Sequence, residues 1–283
     1  MHEIIRILKS LDRRVIYGLV FASVLLPLLV PVGLPIDISP AVRAVYEAVD
    51  ALPPGSIVLV SFDYDPGSRA EVHPMAEALL RHAFAKKLKV IAPALWPQGP
   101  SMATGLFDKM QREFNLVPGT DFVQLGYFSG PTVGLPQVTA IMGNLQEAYP
   151  TDVKGTKLSA LPLTASIHAA KDIALVFTLS AGDPGIPAWV QIANGRYGSK
   201  LAGGATAVQT PQFLPYVQAG QMIGILGGLK GAAEYERLVN FKGLATSGMD
   251  AQSLSHLVIM LFIVIANVTY LFERVAGPAR PRP

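Results

Sequence analysis

Two long stretches of the chain carry no charge, and between them apolar and polar positions follow the periods of strands and helices. Residues 15–36 make one uncharged run of about 22, and residues 254–272 another of about 19. At 1.5 Å per helical residue, each matches the roughly 30 Å hydrocarbon thickness of a bilayer. The pattern predicts two transmembrane helices around a water-soluble body: a tail at 1–14, a first span at 15–36, a body at 37–252, a second span at 254–272 and a tail at 273–283. Pro27, Pro31 and Pro35 each remove a backbone donor and are expected to kink or end the first helix. The first apolar run is longer than the core of a cleaved signal peptide, and no small-x-small site follows it, so it reads as an uncleaved signal-anchor.

Within the body the period switches repeatedly between strand and helix. Ser39-Pro40 opens a helix as N-cap and first-turn proline, and Pro53-Pro54-Gly55 stops it. Residues 56–62 and 172–179 are near-continuous apolar runs of strand length, the signature of strands covered on both faces. Further strands are predicted at 89–95, 121–125 and 205–209. Helices are predicted at 70–87, 101–114, 136–149, around Trp189 and Ile192, and over 213–239. Five strands alternating with helices imply an α/β fold: a mostly parallel open sheet with flanking helices, Rossmann-like, bracketed by an N-terminal and a C-terminal transmembrane helix. Asp65-Pro66-Gly67 and Asp183-Pro184-Gly185 each end a strand. Two equivalent half-domains would produce that match, and so would ordinary turn chemistry.

Composition changes the picture in two ways. The chain has 283 residues and no cysteine, which removes disulfides, thiol nucleophiles and thiolate metal sites. Seven of the 23 basic residues and three of the 20 acidic ones flank the apolar runs, leaving a body that is close to neutral. Basicity therefore belongs to the membrane flanks, and a nucleic-acid role loses its electrostatic basis. The same bias predicts cytoplasmic termini and an extracytoplasmic body.

Candidate chemistry follows from fold logic, because ligands of open α/β sheets bind beyond the carboxyl ends of the strands. Asp63, Asp65 and Glu71 offer oxygens for a divalent cation, or they serve a turn and a helix start. Ser180 and Asp183, with Asp63 and Asp65, offer a strand-end cluster for a hydrolase; otherwise Ser180 caps the next helix. The elbow G-x-S-x-G is absent. Gly220, Gly224 and Gly228 recur every four residues, so a helix there would carry a smooth face for a helix–helix or subunit contact, or for packing within the domain. Asn267 in the second span is expected to face another helix. Arg196-Tyr197 and Tyr235 are polar groups open to a partner, or plain surface. Two functions result. The first is a membrane-anchored, non-catalytic α/β domain acting as a partner-binding or assembly subunit, self-associating or held in a membrane complex. The second is a membrane-bound hydrolase using the strand-end cluster.

Overall fold

A computed structural model describes residues 12–128, 133–167 and 169–276. The chain divides into two compact units, Pro35–Ala245 and a unit made of the two terminal segments. Arg6, Lys9, Arg280 and Arg282 of the predicted basic tails lie outside the described residues.

The larger unit is built on a six-stranded, all-parallel sheet: β1 (Ile57–Asp63), β2 (Lys89–Ala94), β3 (Phe122–Tyr127), β4 (Leu175–Ser180), β5 (Leu201–Ala205) and β6 (Ile225–Gly227). Their spatial order is β3-β2-β1-β4-β5-β6. This is the doubly wound order, in which the crossovers reverse direction between the two central strands. β1 and β4 lie side by side there, with Asp63 level with Ser180. The two Asp-Pro-Gly turns follow these two strands, which begin the two halves of the sheet.

Helices cover both faces. On one side lie α2 (Pro40–Asp50), α3 (Arg69–Ala85), α4 (Gly99–Phe114) and α9 (Gly228–Leu238); on the other lie α5 (Leu135–Gly143), the short α6 (Leu145–Ala148) and α7 (Ile186–Trp189), and α8 (Thr210–Gln218). A π-helical turn, Val190–Asn194, continues α7. Strand alternation divides the core accordingly. Phe62 and Phe122 meet Phe107 of α4 at ring separations of 6.1 and 4.8 Å. On the opposite face Leu59, Val176 and Leu201 join Ile141, Trp189 and Phe213 in one apolar cluster. Each such fully buried side chain contributes about 1.5–3 kcal/mol, which is what holds the layers together.

The two ends of this unit are tied to α9 by buried acids. Glu234 Oε2 accepts from both the backbone N–H and the hydroxyl of Ser39, each at 2.7 Å, and its other oxygen meets Lys230. Glu236 accepts from the N–H groups of Gly243 and Ala245. Arg237 donates to the carbonyl of Ile36 at 3.1 Å. These bonds satisfy chain-end backbone groups where no strand or helix partner exists.

Three sequence expectations are corrected. The strand predicted at 205–209 lies at Leu201–Ala205, where a Cβ on Gly203 would come within 3.1 Å of the Thr178 carbonyl and Met222, and one on Gly204 within 2.7 Å of Met75. The helix predicted over 213–239 is interrupted: α8 ends at Gln218, a turn leads into β6, and α9 begins at Gly228. The glycine face on one helix is therefore not formed. Tyr235 is fully buried, its hydroxyl 2.8 Å from Nδ1 of His82.

In the smaller unit, α1 is Arg13–Leu29, 17 residues rather than a helix filling 15–36. It ends two residues past Pro27, because Pro31 and Pro35 have no N–H to continue it, and residues 31–39 are not helical. The C-terminal helix α10, Leu244–Ala276, starts ten residues before the predicted span. Among the described residues it contains the one helix long and apolar enough to cross a membrane, Leu244–Leu271, with a mean hydropathy of 2.1 and little of it buried. Asp250 is buried in its early turns, accepting from the N–H groups of Gly33 and Leu34 at 2.7 and 2.9 Å.

Candidate functional site

The carboxyl edge of the sheet carries the residues singled out from sequence, and their geometry is now explicit. Asp63 ends β1 fully buried, with both carboxylate oxygens occupied. Oδ1 accepts from the Ser61 hydroxyl at 2.7 Å and the Leu95 N–H at 2.8 Å; Oδ2 accepts from the Thr178 hydroxyl at 3.1 Å and the Trp189 indole N–H at 3.0 Å. Burial pushes its pKa up to about 6, against the opposing pull of these four donors, the Leu95 N–H foremost. The carboxylate joins β1 to β2, β4 and α7. Such a network is costly to interrupt, since each donor would be left unpaired in a dry interior.

Ser180 is on the neighbouring strand at the same level, also fully buried. Its hydroxyl donates to the Gly182 carbonyl at 3.1 Å, and a side chain at Gly185 would collide with it. Asp183 is exposed in the following loop, which Trp96 braces by donating its indole N–H to the Pro184 carbonyl at 2.7 Å. Asp65 Oδ1 accepts from the Ser68 N–H and hydroxyl at 3.1 and 3.0 Å, closing the turn. Glu71 Oε2 accepts from the Ala207 N–H at 2.8 Å. Asp63 and Ser180 thus share one level of the sheet, whereas Asp65 and Glu71 serve separate backbone groups. Among the described residues no group of three or more His, Cys, Asp and Glu side chains could hold a metal ion.

The remaining candidates lie elsewhere. Gly220 occupies the turn after α8 at φ +70°, with open space around it. A Cβ at Gly224 would come within 2.1 Å of the Ala41 carbonyl, and one at Gly228 within 2.7 Å of Ala207. Both therefore allow close packing inside the body. Asn267 donates to the Ile263 carbonyl of its own helix at 2.8 Å.

Sequence reasoning missed a cleft of about 680 Å³ at the carboxyl end of β3, bounded by α5, α6 and the segment that follows them. A β-bulge prepares it. Ala92 and Pro93 are consecutive on β2 but pair with Gln124 and Gly126, so Leu125 is the extra residue and the strand end is bent. Gly126 adopts φ +82°, a conformation that suits glycine there. The Val153 N–H then bonds the Gln124 carbonyl at 3.0 Å at the free edge of β3, next to the lining residues Pro150, Thr151 and Asp152. Tyr127, Phe128, Tyr149 and Tyr197 supply the aromatic surface, and Glu147 and Asp152 the charge. Tyr149 is buried, and its pKa is held well above that of a free phenol, mainly by burial and then by the nearby Asp63 carboxylate. Tyr197 is the single lining residue that the sequence had marked as open to a partner.

No known protein family matches this chain, and no curated protein or solved structure matches it either.

Proposed function

We propose that this protein is a membrane-anchored, non-catalytic α/β domain that binds its partner molecule in the cleft beside β3. The observation that carries the reading is the division of labour along the sheet edge. The acid and the serine best placed for chemistry are both buried, and their polar atoms are consumed by internal hydrogen bonds. The open, polar-lined volume lies beside them, at strand ends where α/β sheets take ligands. Gly224 and Gly228 face neighbours within the body, so self-association no longer draws support from the glycine run.

The membrane part of the proposal rests on exposed apolar surface. Leu257, Leu261, Ile263, Val264 and Leu271 of α10 are each more than half exposed, as are Tyr17, Phe21, Leu26 and Leu29 of α1. Contiguous apolar surface on this scale is unfavourable in water and is what lipid covers. We assign α10 as a span. We assign α1, about 26 Å long at 17 residues, as the second anchor, completed by the apolar extended residues after it. Arginine-rich flanks favour cytoplasmic termini and an extracytoplasmic body.

The test is a thermal-shift screen of small-metabolite classes on the full chain in detergent, since a ligand raises the melting temperature by mass action. Ala140→Trp, which fills the cleft from α5, should abolish every shift, whereas Ser180→Ala should leave them. Shifts that survive Ala140→Trp, or a hydrolytic turnover lost in Ser180→Ala, would overturn the proposal in favour of the hydrolase.

A further inference from the structure

The cleft's chemistry narrows what it can hold, and this step rests on the reading of the cleft as the binding site. Among the described residues no Lys, Arg or His lines it, and both of the charged side chains that do are acids. Several of its polar groups are already committed. The Thr139 hydroxyl donates to the Leu135 carbonyl at 2.8 Å. Asn144 Oδ1 caps α6 by accepting from the N–H groups of Gln146 and Glu147. Asp152 Oδ1 holds its own turn through the N–H groups of Lys154 and Thr156. The charge and aromatic surface left to meet a ligand are the exposed Glu147 carboxylate, the remaining negative charge of Asp152, and the rings and phenols of Tyr127 and Tyr197. The Tyr197 ring already attracts one cation, the Arg196 guanidinium 5.6 Å from its centroid.

We propose that the cleft binds an aliphatic amine: one or two ammonium groups joined by a short hydrocarbon chain. Carboxylates take up the ammonium charge, aromatic faces attract it through their quadrupole and cover the methylenes, and anionic ligands are repelled by the two acids. A neutral polyol gains nothing from the charge of the two acids, and the Thr139 hydroxyl, Asn144 Oδ1 and Asp152 Oδ1 are already tied to the backbone.

The test compares three probes of equal length on the full chain in a non-ionic detergent: 1,6-diaminohexane, 1,6-hexanediol and adipate, by isothermal titration calorimetry at neutral pH. The diamine should bind and weaken as salt is raised, and the other two should give no saturable heat. Glu147→Gln should weaken the diamine about tenfold or more, the loss expected for one charge-assisted contact. Glu147 is exposed, so the fold should be unaffected; Tyr197→Leu keeps apolar volume, removes the ring, and should weaken the diamine as well. Equal binding of hexanediol or adipate, or diamine binding indifferent to both substitutions, would overturn the amine assignment. Silence from all three probes up to about 10 mM would overturn it too, this being far weaker than useful recognition. In each case the thermal-shift screen with Ala140→Trp decides separately whether the cleft is the binding site.

Discussion

Trp189→Phe isolates one hydrogen bond to the buried carboxylate of Asp63, and its cost should depend on pH. The indole N–H reaches Oδ2 at 3.0 Å, and phenylalanine keeps most of the ring while removing the donor. A hydrogen bond to a charged acceptor contributes about 1.5–3 kcal/mol and one to a neutral acceptor about 0.5–1.5, so the loss is larger wherever Asp63 is ionised. Asp63 has a folded pKa of about 6, above the 3.8 of a free carboxyl. Its contribution to stability is therefore fully present below about pH 4 and is lost as pH climbs through 6. Removing a donor that favours the ionised form moves the folded pKa still higher and extends that loss. The variant should consequently fall short of the parent by about 1–1.5 kcal/mol more at pH 8 than at pH 4.5, or roughly 2–6 °C in melting temperature for a body of this size. The space left by the smaller ring costs the same at both values and cancels in the difference. Circular dichroism on the full chain in detergent reads the transition without relying on fluorescence, since Trp96 is the only other tryptophan. An equal deficit at both pH values, or a larger one in acid, would refute the assignment of Trp189 as a partner of ionised Asp63.

Other substitutions probe the packing and the anchors. Gly224→Ala drives a methyl group onto the Ala41 carbonyl and should cost about 3 kcal/mol or more, whereas Gly220→Ala, in open space at positive φ, should cost only about 1–2, both read from thermal unfolding. Asp250→Ala strips the acceptor from the N–H groups of Gly33 and Leu34; deuterium uptake at residues 31–36 should rise while the sheet stays protected. The full chain should resist extraction by alkaline carbonate. Leu261→Arg with Val264→Arg should disrupt insertion of α10, read as new protease access to the chain beyond it while α1 keeps the protein in the membrane fraction, since each arginine in mid-span costs about 2.5–3.5 kcal/mol on insertion scales.

How far the sequence reveals this molecule depends on whether a feature is local. β1 and β4 are covered on both faces, so each must be apolar almost throughout, and an uninterrupted run such as Ile57-Val-Leu-Val declares itself. β5 carries two glycines because Met75, Met222 and Thr178 approach it closely, and the same glycines make Leu201-Ala-Gly-Gly-Ala look like a loop. β6 is three residues long, too short for any period, and it breaks what otherwise passes for one helix. The strand-end acids were visible as residues, but that Asp63 is sealed by Trp189, 126 positions away, is a property of packing alone. The cleft was hidden for a related reason. Tyr127, Glu147 and Tyr197 come from three separated segments, and its bulge arises from register between β2 and β3, which no single stretch encodes.

The bonds made by α9 bring the beginning and the end of the body to one helix: Ile36 and Ser39 on one side, Gly243 and Ala245 on the other. Termini gathered in this way favour circular permutation. The body is thus suited to re-engineering as a free-standing ring, its original ends stitched by a few glycines and serines and a new opening cut in a surface loop far from α9. Such a permutant would carry the sheet and the cleft without either terminal helix.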